Sequence, residues 1–66
     1  MTKQEIEVRT PLFDGLMMVD NITVIYEDNK TQEKVRAELQ QVFAEKYDKY
    51  KPDPQKIKVN FMKKIF

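Results

Sequence analysis

Thr31–Tyr50, TQEKVRAELQQVFAEKYDKY, is the stretch whose reading decides the fold. On a helical wheel Val35, Leu39, Val42, Phe43, Tyr47 and Tyr50 form one stripe, while Glu33, Lys34, Glu38, Gln41, Glu45 and Asp48 lie off it. That periodicity predicts an amphipathic helix. Asn29 or Thr31 can cap it by offering a side-chain oxygen to an orphan N–H, and Gln32 stands where Asn29 would complete a capping box. Glu45 and Lys49 add one favourable i, i+4 pair. Pro52 disfavours helical geometry in the residue before it, so the helix stops short of it. A helix with one apolar stripe needs an apolar surface to cover, and the flanking segments have to supply it.

Upstream, residues 4–10 (QEIEVRT) alternate, with Ile6 and Val8 on one side and Glu5, Glu7 and Arg9 on the other, the pattern of a half-buried strand. Pro11 withdraws a backbone donor and Asp14-Gly15 is a turn pair, so Pro11–Gly15 connects this strand to a second one at residues 16–27 (LMMVDNITVIYE). Centring the hairpin on Gly15 pairs Leu12 with Met18, Val8 with Ile22 and Ile6 with Val24. Ile6, Val8, Leu12, Met18, Ile22, Val24 and Tyr26 then share the face laid against the helix, with Thr10 and Asp20 opposite each other as polar misfits. A competing arrangement makes Asp20-Asn21 a tight turn and pairs Leu16–Val19 with Ile22–Tyr26.

Downstream, Lys51-Pro52-Asp53-Pro54 reads as a stiff linker. Beyond it Ile57, Val59 and Phe61 alternate with Lys58 and Asn60 as in a third strand, whereas Asp53-Pro54 also suits the N-cap and first position of a second helix over residues 55–66. The helical version places Lys58 among the apolar side chains, which favours the strand. The expected architecture is a small α+β domain, ββαβ, spanning residues 1–66 as a single domain. It has a three-stranded antiparallel sheet in the order 2-1-3, because the last strand lies beside the first, and one amphipathic helix packed on one face.

Composition limits what such a domain can do. A chain of 66 residues buries only about 60% of the surface its unfolded form exposes. With no cysteine and no histidine it lacks the usual disulfide and metal staples, which leaves oligomerisation or a bound partner. The absence of serine, cysteine and histidine also removes the common nucleophile and base pairings, and the single glycine, Gly15, rules out a glycine-rich phosphate loop. Asp14, Asp20, Glu27 and Asp28 lack metal-loop spacing. We therefore expect no enzyme, no cofactor and no metal. No apolar run approaches the roughly 18 residues of a membrane span, and the N-terminus MTKQEIEVRT is too charged for a signal peptide. The expected location is cytoplasmic, without membrane partners, and the Asn21-Ile22-Thr23 glycosylation pattern is then a chance match.

Charge is uneven: residues 1–28 carry net −4, residues 29–50 net +1 and residues 51–66 net +4. The 2-1-3 order would set Glu5 and Glu7 beside Lys58 and neutralise the two ends internally.

Two functional expectations follow. One helix covers one face of the sheet, and the other presents Met17, Val19, Ile25 and Met62 with Phe13 in the nearby loop, an apolar surface that, with an exposed strand edge, could dock onto another protein or a second copy. A register slip of one residue, or Ile65 and Phe66 folding back, would remove that surface. By size and composition such a domain suits an inhibitor or adaptor that occupies a surface, as small proteins of phages and mobile elements do. The alternative is nucleic-acid binding through Lys56, Lys58, Lys63 and Lys64, interleaved with Phe61 and Phe66. The near-neutral net charge of +1 weighs against it.

Overall fold

A computed structural model describes all residues, 1–66. Strand β1 (Thr2–Pro11) and strand β2 (Met17–Tyr26) form a hairpin, helix α1 (Gln32–Lys46) follows, and strand β3 (Lys58–Lys64) closes the sheet. The three strands lie in the order β2-β1-β3 and both pairings are antiparallel. This is the expected ββαβ arrangement.

The hairpin turns one position earlier than centring on Gly15 requires. The Gly15 N–H donates to the Leu12 carbonyl (3.1 Å) and Leu12 N–H to the Leu16 carbonyl (2.8 Å), so the loop is Phe13-Asp14-Gly15. Gly15 takes φ +86°, the left-handed residue that ends a three-residue hairpin loop. Ile6 consequently pairs with Ile22, Val8 with Asp20 and Thr10 with Met18. Because the expected register is displaced by an even number of residues, every side chain stays on its expected face. No turn forms at Asp20-Asn21, which lies inside β2.

Thr31 is the cap of α1, accepting from the Lys34 N–H at 3.2 Å. The helix is shorter than the stripe that announced it: it ends at Lys46, and a single 3-10 turn over Asp48–Tyr50 follows, closed by Lys51 at φ 50°. Lys49 therefore lies past the helix, out of step with Glu45. Val35 and Phe43 are buried and Leu39 and Tyr47 half-buried, but Val42 and Tyr50 are exposed. The last segment is the favoured strand, and the second helix over residues 55–66 does not form. Asp53 caps one 3-10 turn, Pro54–Lys56, through Gln55 N–H (3.0 Å), and the chain then extends as β3.

Ile6, Val8, Tyr26, Val35, Phe43, Ile57 and Val59 make the core. They gather where α1 lies, over β1, β3 and the Pro54 turn, with β2 to one side of the helix. Gln40 fastens the β3 side by donating to the Ile57 carbonyl at 3.0 Å, and the Arg36 guanidinium covers the Phe61 ring at 5.4 Å. On the β2 side the link is polar: Asp20 accepts from Lys46 Nζ (2.9 Å) and from the Tyr47 hydroxyl (2.7 Å). Thus one expected misfit is partnered. The other, Thr10, is fully buried and its Oγ1 has no hydrogen-bond partner.

Candidate functional site

The face of the sheet away from α1 carries the odd-numbered residues of β1 and β2. Five side chains expected on the apolar surface are all exposed: Phe13 (75%), Met17 (49%), Val19 (47%), Ile25 (57%) and Met62 (57%). They do not form one patch. Met17 and Val19 stand opposite Pro11 and Arg9, next to the Phe13 loop, whereas Ile25 stands opposite Lys3 at the far end of the strand. Ile25 lies six positions along the strand from Val19, about 20 Å away. Between them lies a polar belt. Arg9 Nε donates to Glu7 Oε1 at 2.7 Å, Asn60 Nδ2 donates to the same oxygen at 3.1 Å, and Asn21 and Thr23 flank them on β2. The bonds from Arg9 and then Asn60 hold the Glu7 carboxyl below its ordinary pKa. A shallow depression of about 340 Å³ lined by Glu5, Asn21, Thr23 and Met62 lies along this belt.

The expected pairing of Glu5 and Glu7 with Lys58 is not made. Lys58 pairs across the ladder with Arg9, and Glu7 pairs with Asn60. Near Gln4 a bulge puts an extra residue in β3, so that Phe61 faces Ile6 and Lys64 faces Gln4. Past the bulge Ile65 and Phe66 continue along β1: Lys3 N–H donates to the Phe66 carbonyl (2.6 Å) and Lys3 Nζ sits 5.6 Å from the Phe66 ring. Both residues remain exposed, and their pairing with Lys3 puts them at the end of the sheet away from Met17, Val19 and Phe13.

The lysines of the alternative reading are dispersed. Lys56 is in the 3-10 turn, Lys58 begins β3 beside Arg9, and Lys63 and Lys64 end the strand. Lys58 and Lys64 are about 20 Å apart along an extended chain. No group of three acidic or other metal-ligating side chains converges anywhere on the molecule, and no helix is long and apolar enough to cross a membrane.

The sequence leads one to expect an exposed strand edge without saying which strand provides it, and the open edge lies at β2. β2 is an outer strand, and Leu12–Leu16 is a hydrogen-bonded pair. By alternation the even-numbered residues of β2 bond to β1, and Val19, Asn21, Thr23 and Ile25 turn their N–H and C=O groups to the free side. This edge has none of the usual protection. Its sequence, MMVDNITVIY, contains no proline and no lysine, and its one charge, Asp20, is engaged by Lys46 and Tyr47. The other edge, β3, has a bulge and Lys58, Lys63 and Lys64. Because α1 sits away from β2, the inner side of this strand is open too: Met18 is 38% exposed and Ile22 and Val24 are half-buried. Val42, one helical turn before Lys46, is exposed on the flank of α1 that reaches Asp20.

Comparison of the chain with protein-family models, with curated proteins and with solved structures returned no match.

Proposed function

We propose that this domain is a protein-binding module that acts through the β2 edge, accepting an extended segment as an added strand. The observation that carries the reading is an unguarded ten-residue edge strand with apolar side chains exposed on both faces. Main-chain groups of Val19, Asn21, Thr23 and Ile25 would give affinity, as in strand addition generally, and side chains on alternate positions would give selectivity. On the outer face Met17, Val19 and Phe13 would receive apolar side chains at one end and Ile25 at the other, while Met62, on β3, lies too far from this edge to take part. On the inner face Met18, Ile22 and Val24 would do so beneath the Val42 flank. Occupying a surface in this way needs no cofactor and no catalytic group, and fits the inhibitor or adaptor role expected from the composition.

The test pairs the full chain with Thr23→Pro. Proline on an edge strand removes only the N–H that points to the free side, so the variant should keep its circular dichroism and melting profile. Proteins retained from cell extract by the immobilised parent and lost with Thr23→Pro support the module, as does self-association lost in the same variant. A parent that remains a monomer and retains nothing that the variant does not also retain overturns it.

A further inference from the structure

The β2 edge is complementary to itself. An antiparallel partner must place its own outward-pointing residues opposite the odd-numbered ones of β2, because only those present free N–H and C=O groups. A second β2 meets that condition when a two-fold axis passes through Ile22. Val19 then faces the partner's Ile25, and Asn21 faces the partner's Thr23, so apolar meets apolar and polar meets polar on the outer face. On the inner face Ile22 meets the partner's Ile22 and Met18 meets the partner's Tyr26. Moving the axis to Asn21 would set Val19 against Thr23 on the outer face, a poorer match; on the inner face Asp20 meets an apolar residue either way, Val24 with the axis at Ile22 and Ile22 with the axis at Asn21.

We infer that this chain forms a two-fold dimer by antiparallel pairing of β2 with β2 about Ile22, making one continuous six-stranded sheet. The inference rests on the strand-addition reading and commits it to a second copy as occupant. Two further observations select that occupant. An incoming strand has to offer apolar side chains on both faces, since both faces of β2 are exposed, and β2 does so with Met18, Ile22 and Val24 on one and Met17, Val19 and Ile25 on the other. Charge does not oppose the approach: the chain carries net +1, and Asp20, the sole charge in β2, is bonded to Lys46 and Tyr47 of its own copy. The pairing also repairs the division of the apolar surface, because it brings Ile25 of the partner subunit beside Val19, from which the chain's own Ile25 is remote. Four hydrogen-bonded residue pairs would form, contributing about eight backbone bonds.

The dimer is tested by sedimentation equilibrium and by cysteine crosslinking. The chain has no cysteine, so each single substitution can give only an intermolecular disulfide. The weight-average mass should climb with concentration from 7.9 kDa toward twice that value. Thr23→Pro and Asn21→Lys, both folded by circular dichroism, should weaken association at least tenfold. Under mild oxidation Ile22→Cys should crosslink several-fold faster than Asn21→Cys or Thr23→Cys. A concentration-independent monomer overturns the dimer, and if that monomer still retains an extract protein in a Thr23→Pro-sensitive way, the module stands with a different occupant. A dimer that crosslinks best at Asn21, or that is unaffected by both edge substitutions, overturns the pairing about Ile22.

Discussion

At Asp20 a single carboxylate joins two elements that share little apolar contact. Burial raises its pKa, but the hydrogen bonds from Tyr47 and Lys46 outweigh that and leave it below the ordinary value. Lowered folded-state pKa values at Asp20, Glu7 and Asp28 mean stability that is present above the unfolded carboxylate range, about 4, and lost as pH falls through the folded values. Tyr47 and Lys46 are held up, first of all by Asp20, so the same contact also weakens as pH rises past about 10. Tyr47→Phe should cost about 1 kcal/mol at neutral pH, the net worth of one hydrogen bond. The difference from the parent should shrink below about pH 4, as measured by urea denaturation at several pH values. Thr10 is the opposite case. Its buried hydroxyl has no partner, and valine matches its shape without that group, so Thr10→Val should stabilise by about 1 kcal/mol. A lower urea midpoint for this variant would mean that the hydroxyl is satisfied in solution. Sequence alone marked both residues as misfits on an apolar face; it could not distinguish them, because partners for Asp20 come from the end of α1, 26 and 27 residues away.

At the scale of elements, what was legible is what depends on local pattern. Alternation in QEIEVRT, the stripe in α1 and the Thr31 cap are short-range signals, and each has its element. Less legible were ends and offsets. The stripe continues to Tyr50, but Lys51 in a left-handed conformation and the Asp48–Tyr50 turn terminate the helix. Asp53-Pro54 gives one 3-10 turn and no more, because Ile57 and Val59 are both buried, which alternation satisfies and a helix would not. The hairpin depends on Gly15, the residue that the Asp-Gly pair already singled out. A Cβ there would meet nothing within 4 Å, so Gly15→Ala pays only for left-handed backbone, about 1 kcal/mol. Asn at the same position should cost less, since it tolerates this conformation. Thermal melts of the three proteins should rank Gly above Asn above Ala; equal melting temperatures would place no constraint on the loop backbone.

For the whole molecule the decisive fact is lateral: α1 covers β1 and β3 and leaves β2 at the margin. No sequence pattern reports that offset, since it arises from the short path through the Pro54 turn that draws β3 and the helix together. It also explains why only 11 of 66 residues are buried, a core small enough that association would add appreciably to stability. A dimer linked to folding makes the melting temperature rise with protein concentration. The parent should therefore melt higher by several degrees across a hundredfold concentration range, and Thr23→Pro should not. Salt separates this association from the nucleic-acid alternative. Strand pairing about Ile22 joins apolar and amide groups with no ion pair across the axis, so its strength should hold or increase between 50 mM and 500 mM salt. Binding to single-stranded DNA through Lys56, Lys58, Lys63 and Lys64 would release counterions and weaken steeply over the same range. Sedimentation of the chain alone and fluorescence anisotropy with a labelled oligonucleotide, run at both salt concentrations, should give persistent self-association and no salt-sensitive complex. A complex formed at low salt and lost at high salt, with no self-association at either, would transfer the function from the β2 edge to the basic C-terminal segment.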